Sequence, residues 1–346
     1  MPLTIVGAIL APLLLELPCS PPAIYNSLGS GIGTAEAEAI PSEQYLIVYQ
    51  DIQPKSRETT EIDIGRLLEV VREMPDASRC RWGVLDWEDP HFQAIESPSD
   101  PNRRLRCVTE LCRAISALKA EFPTIRWTVW GAPELPYWID GKAWDAAGED
   151  SRSRAIEGAL ARWQPVMECC DWLMPWVYVV ENRDKPSRQE ADRSAQRHVA
   201  WVNAKVRLCR EHIRRTGRMV PVIPCVCPFV APNNGNKPGI PLSTEEFLEL
   251  QARPVFDAGA NGLAIWSALD WWLPSAFADY SGKTRSDVLA AQASSRESLI
   301  RAFGPIDWMN AEERFRVARE ASNLVLLDLR AAIPLWRPRQ RGPGGR

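Results

Sequence analysis

"WGVLDWEDP", residues 82–90, is the stretch on which the reading of this 346-residue chain turns. From Trp82 to Leu85 every position is apolar or glycine. That is the pattern of a parallel strand covered on both faces by helices, where no solvent-facing side calls for polar alternation. The run ends in Asp86-Trp87-Glu88, two carboxylates one residue apart. Side chains alternate across a strand, so Asp86 and Glu88 are expected on one side and Trp87 on the other. Like charges held close in a partly desolvated cleft resist double ionisation, which keeps one carboxyl protonated near neutral pH and able to act as a general acid. A D-x-E triplet by itself also fits a solvated strand end, and Asp89-Pro90 also fits the start of a helix.

Outward from this stretch, apolar runs alternate with amphipathic ones. "QYLIVYQ" (44–50) reads as a buried strand followed by the loop "DIQP". After Asp63, the residues Ile64, Leu67, Leu68 and Val71 recur at helical spacing, and the pattern stops at Met74-Pro75. Leu105, Val108, Cys112, Ile115 and Leu118 mark another helix, and "IRWTVWG" (125–131) the next strand. A helix over 153–163, a strand at "DWLMPWVYVV" (171–180), a long helix over 189–215 and a strand at "VPVIPCVCPF" (220–229) continue the rhythm. Ser243-Thr244-Glu245-Glu246 is a capping box opening one more helix, and "ANGLAIWSALDWW" (260–272) is the last buried strand.

Repeated βα units of one hand close into a ring or open into a doubly wound sheet. No G-x-G-x-x-G or G-x-x-x-x-G-K-[ST] follows any strand, which removes the main reason to prefer a nucleotide-binding sheet. The expected fold is α/β: a single-domain, distorted TIM-type (β/α) barrel over 41–306. An apolar, signal-like and linker segment (1–40) precedes it, and a helix (307–333) and a disordered basic tail (334–346) follow. "NNGNKPGIP" (233–241) reads as a mobile loop at the C-terminal face of the strands.

Hydrophobic residues at 45% and charged residues at 25% are ordinary for a globular chain and exclude wholesale disorder. A net charge of -3 provides no global attraction for nucleic acid, which is not expected as a partner. The 15 tryptophans suit both core filling and stacking on sugar rings. The nine cysteines show no zinc-finger spacing and no disulfide framework, so most are expected as small buried residues. His91, His198 and His212 form neither H-E-x-x-H nor a His/Cys cluster, are expected on the surface or on helices, and imply no metal; nothing calls for a cofactor. The apolar run over 5–15 resembles a signal-peptide core without a preceding Lys or Arg, and "AEAEA" (35–39) is a distant cleavage site. A secreted or periplasmic location is expected, with a cytoplasmic one as the alternative, and the run is too short for a stable membrane span.

Four segments together resemble the hyaluronidase family of glycoside hydrolases. "GVLDWEDPHF" is similar to its G-[VL]-[IV]-D-[FW]-E strand, "VWGAPELPYW" to W-G-x-Y-x-[FY]-P, "LMPWVYV" to L-x-P-S-[VI]-Y, and "GANGLAIWSA" to the closing G-x-x-G-[VI]-[VI]-[IL]-W-G-S strand. They occur in that order over most of the chain. The resemblance implies a distorted barrel that cleaves an N-acetylhexosamine-containing polysaccharide or oligosaccharide. It makes Glu88 the proton donor and Asp86 the group that orients and charge-stabilises the substrate acetamido, whose own oxygen attacks the anomeric carbon. Tyr178 would hydrogen-bond the acetamido, Trp266 would wall the sugar pocket, and Trp130, of the same motif set, would also bind substrate.

Where the family has tyrosine in W-G-x-Y, this chain has Pro133, and Glu134 or Tyr137 would have to supply the missing contact. The Trp-Arg-Pro that commonly follows the family acid is absent, as are its matching cysteines, which leaves a different polysaccharide open. A chitinase-like pattern needs an aspartate at Val84. A lysozyme-like barrel and a catalytically silent carbohydrate-binding barrel remain alternatives.

Overall fold

The computed structural model describes residues 23–26, 43–74, 77–78, 80–97, 99–180, 187–227, 242 and 244–266. β1 (Ala23–Asn26) and β2 (Glu43–Tyr49) are followed by α1 (Ile64–Glu73), β3 (Trp82–Asp86), the short α2 (His91–Glu96), α3 (Pro101–Glu121) and β4 (Arg126–Val129). A hairpin of β5 (Trp138–Ile139) and β6 (Lys142–Ala143) precedes α4 (Glu149–Cys169) and α5 (Arg188–Thr216). β7 (Cys225–Val226), α6 (Thr244–Phe247), a π turn (Leu248–Ala252), α7 (Arg253–Asp257) and β8 (Gly262–Ile265) complete the order.

Six strands form one sheet in the order β4-β3-β2-β1-β8-β7, every neighbouring pair parallel. All five residues of β3 are buried, as the unbroken apolar run requires of a strand packed on both faces. Past the regular strands, parallel bridges join Trp130 to Met174, Leu173 to Val222 and Trp176 to Cys225. Residues 173–176 thus pair with the chain beyond β4 on one side and with β7 on the other, the two outer members of the sheet.

The stretches expected as strands over 171–180 and 220–229 are mostly single bridges, and proline explains it. Pro175, Pro221 and Pro224 have no N–H to give a ladder, although their carbonyls still accept from Cys225, Leu173 and Ala264 at 2.9, 2.8 and 2.9 Å. Side chains fill part of the gap. Asn261 Oδ1 accepts the Val222 N–H at 2.9 Å, and the buried Gln251 amide pairs with both the N–H and the C=O of Cys227.

The helices start where polar caps stand. Asp63 accepts from the Arg66 N–H, Asp100 from the Arg103 N–H just ahead of Pro101, and Ser187 from the Glu190 N–H. α5 stops at Gly217, whose φ of 68° is the left-handed conformation that closes a helix cheaply only with glycine. α3 packs on α1, α2 and α4, and α5 packs on α4 and α7. The buried seam of α3 runs through Cys107, Val108, Leu111, Ala114, Ile115 and Leu118; Leu105, expected on that seam, is 65% exposed. α4 extends beyond the expected 153–163 at both ends, α2 starts directly after Asp89-Pro90, and β1 and the β5–β6 hairpin are absent from the sequence reading.

The signal-like run, Ser243, the 233–241 loop and the chain after Trp266 lie outside the described residues. Among the described residues no helix is long and apolar enough to cross a membrane.

Gly83 is required by a close approach. A Cβ there would lie 2.5 Å from the indole of Trp127, its register partner in β4, which is fully buried. Gly83→Ala is expected to lower the unfolding free energy by about 2 kcal/mol, read from urea denaturation beside the wild type.

Candidate active site

β3 ends on Asp86, which is buried and sits in register opposite Tyr49, the last residue of β2. The next side chain, Trp87, is packed inside, as strand alternation predicts. The chain has left the ladder by Glu88, whose backbone N–H therefore needs another acceptor. Gln50, the residue after β2, provides it: Oε1 accepts the Glu88 N–H at 2.8 Å, and Nε2 donates to the Asp89 carbonyl at 3.4 Å. Gln50 is itself buried.

The Glu88 carboxyl is half-buried, and this burial pushes its pKa above the ordinary carboxylate value. Arg57 opposes the rise, while Asp89 and Asp51 add to it. Burial leads, ahead of the like-charge repulsion that the D-x-E spacing was expected to supply. The charge of Asp86 is felt instead by Cys225 of β7, whose thiol burial pushes up to about 12 with Asp86 adding to the shift.

Cys225 leads to the aromatic side of the site. Its Sγ lies 3.2 Å from the Tyr178 hydroxyl, and Trp130 Nε1 donates to that same hydroxyl oxygen at 3.2 Å. Burial holds the Tyr178 phenol well above its usual pKa, so it stays a neutral donor. Tyr178 stacks on Trp266, with centroids 5.4 Å apart and planes 14° from parallel, and Trp266 Nε1 donates to the Tyr49 hydroxyl at 3.4 Å. Tyr49, opposite Asp86, ties this network back to β3. Tyr178, Trp266 and Trp130 are thus joined to one another, and Trp266 reaches Tyr49, the register partner of Asp86.

Glu134 and Tyr137 belong to an adjoining cluster. Gly131, at φ 77°, turns the chain tightly after β4 against Phe92 and Trp176. Glu134 Oε2 then accepts from Lys205 Nζ at 2.9 Å and from Trp176 Nε1 at 2.7 Å. Lys205 is fully buried and lies 4.0 Å from the Trp176 ring centroid and 4.7 Å from that of Trp201. Burial pushes Glu134 up and Lys205 down, and each pulls the other back toward its charged form. Tyr137 meets Trp201 edge to face.

The chain matches no family model and no curated protein. Among solved structures it is similar to bee venom hyaluronidase: 16% identity, 82% of this chain and 99% of that chain, TM-score 0.47. It is similar also to bee venom hyaluronidase in complex with a hyaluronic acid tetramer, at 17% identity over 82% of this chain and 97% of that one, TM-score 0.47. A broad specificity endoglucanase from an uncultured bacterium follows at 9% identity, 82% and 83% coverage, TM-score 0.34.

Gln50, Tyr49, Cys225, Trp176 and Lys205 escaped the sequence reading. Tyr49-Gln50 carries a usable signal, since two parallel strands of equal height put the end of β2 beside the end of β3. Lys205 carries none, being one cation among many on a long helix. The three histidines lie on helices, as expected, but all are buried: His91 Nε2 meets the Thr60 carbonyl at 2.9 Å, and burial lowers the pKa of His91 and His212. Among the described residues no group of three His, Cys, Asp or Glu is placed to hold a metal.

Two outcomes are expected. Lys205→Met strands a buried carboxylate and should cost about 3 kcal/mol of stability, most of it recovered when Glu134→Gln is added, as a urea double-mutant cycle will read. A carboxyl whose folded pKa is raised destabilises the fold once the solution pH passes the unfolded value. Glu88→Gln is therefore expected to raise the melting temperature at pH 8, with the gain shrinking as pH falls through the raised Glu88 pKa and gone below about 4.3.

Proposed function

We propose that the chain is a glycoside hydrolase acting on an N-acetylhexosamine-containing polysaccharide by substrate-assisted acid catalysis, on a distorted (β/α) barrel scaffold. The observation that carries this reading is Glu88: a half-buried carboxyl with a raised pKa, on a backbone clamped by Gln50, directly after the strand that ends on Asp86. A group poised in this way is protonated where an ordinary carboxylate is not, which suits a general acid. The bridges at 173–176, which reach both outer members of the sheet, support the barrel reading.

In the proposed reaction the acetamido carbonyl oxygen forms a bond to the anomeric carbon as the glycosidic C–O bond breaks. The Glu88 proton passes to the departing oxygen. Asp86 accepts from the acetamido N–H and balances the positive charge that develops there. Water then opens the cyclic intermediate and returns its proton to Glu88. Tyr178 supports the acetamido: Trp130 already donates to its oxygen, which leaves its own proton for Cys225 Sγ or for a substrate carbonyl. The stacked face of Trp266 fits a wall of the sugar pocket. Pro133 provides no hydroxyl for the substrate, and Glu134, held by Lys205, is the polar group beside it.

The test is reducing-end release from hyaluronan, chondroitin, chitin oligomers and peptidoglycan. Glu88→Gln is expected to lose activity by roughly 10²–10⁴-fold while melting cooperatively, and Asp86→Asn to lose less. Wild-type activity should fall as pH rises through the raised Glu88 pKa, because the donor proton is lost. Full turnover by a folded Glu88→Gln protein overturns the mechanism. Inactivity of the wild type on all four classes favours a carbohydrate-binding barrel.

A further inference from the structure

A path of ring contacts leads away from the candidate acid pair to the surface. Tyr178 lies 5.7 Å from Trp176, Trp176 lies 5.1 Å from Trp201, Trp201 lies 5.4 Å from Tyr137, and Tyr137 meets Trp138 edge to face at 5.4 Å. Trp138 is 49% exposed and is the only exposed tryptophan among the described residues. It follows the W-G motif at the C-terminal end of β4, the same end of the sheet at which β3 releases Asp86 and Glu88.

The element that carries Trp138 is held in place. Asp140 and Gly141, at φ 51° and 75°, make the turn of the β5–β6 hairpin in the left-handed conformation that two-residue hairpins require. Ile139 and Ala143 are buried, the Trp144 N–H donates to the Tyr137 carbonyl at 3.1 Å, and Ser151 Oγ donates to Asp140 Oδ2 at 3.4 Å. Trp138 stays exposed although the next side chain, Ile139, and its own register partner, Ala143, are both buried. A large indole face is presented to water on a fixed support.

The surroundings restrict what can cover it. The other exposed large hydrophobic residues among those described are Leu105 on α3 and Met219 after α5, so Trp138 does not sit in a broad apolar patch of the kind a protein partner uses. The exposed charges from the hairpin through Arg154, which reaches Ser151 beside Asp140, are Asp140, Asp145, Glu149 and Asp150 against Lys142 and Arg154, and the remaining excess of negative charge disfavours a uronate-bearing polyanion. Sugar rings without charge match an indole face with a polar, acidic rim.

We propose that Trp138 is an outer binding platform for a neutral N-acetylhexosamine polysaccharide, gripping the chain beyond the unit that meets Glu88. The proposal rests on the glycosidase reading above and narrows its substrate to an uncharged polymer. Native gels containing glycol chitin or hyaluronan test it on the full chain, with Trp138→Ala, Trp138→Phe and Glu88→Gln run beside the wild type and thermal melts as the folding control.

Glycol chitin is expected to retard the wild type and Glu88→Gln equally. Trp138→Ala should bind about tenfold more weakly and Trp138→Phe in between, with cleavage of short chitin oligomers unchanged in both Trp138 variants. Retardation of Trp138→Ala equal to wild type overturns the platform. Retardation by hyaluronan and not by glycol chitin overturns the neutral class. If neither polymer retards the wild type the platform is also wrong, and loss of short-oligomer cleavage only in Glu88→Gln would then still uphold the glycosidase reading.

Discussion

The parallel register that sets Tyr49 opposite Asp86 determines the height of every group in the site. With β2 and β3 ending level, the residue after β2 lies beside the backbone that follows β3, and the Gln50 side chain takes the Glu88 N–H that the ladder no longer serves. A shift of one residue would turn Asp86 to the other face and leave that N–H unpaired, at a penalty of about 1–3 kcal/mol for a buried donor. The Tyr49 hydroxyl, at the same height, accepts from Trp266 and so links β2 to the chain after β8. One backbone pairing thus positions both the acid and the aromatic wall.

Two half-buried carboxyls near the site, both pushed up by burial, have different partners. Glu134 has Lys205 within ion-pair distance and a Trp176 N–H beside it, so its charge is compensated. Glu88 has no ion pair within bonding distance among the described residues, only the more distant influence of Arg57. Similar burial therefore yields a structural carboxylate in one place and a candidate proton donor in the other; the decisive difference is a cation supplied from α5.

Proline shapes the far side of the sheet. Where Pro175, Pro221 and Pro224 interrupt the ladder, pairing survives as single bridges and as side-chain substitutes from Asn261 and Gln251. The same stretch carries Trp176 and Tyr178 toward Trp130 and Trp266.

By itself the sequence determined the alternation of strands and helices, because apolar runs and helical spacing record burial directly. β2, β3, β4 and α1 lie within a few residues of where those patterns place them, and the D-x-E triplet falls at a strand end. It also marked Tyr178, Trp266 and Trp130, through a likeness of motifs rather than through their own spacing. Only the tertiary structure decided which of these groups meet. Hydrogen bonds such as Trp266 to Tyr49 span 217 residues, and no local pattern encodes a contact of that separation. Burial of Lys205, exposure of Trp138 and the environment that raises Glu88 were decided there as well, since each depends on what neighbouring elements place around a side chain whose identity says little about its surroundings.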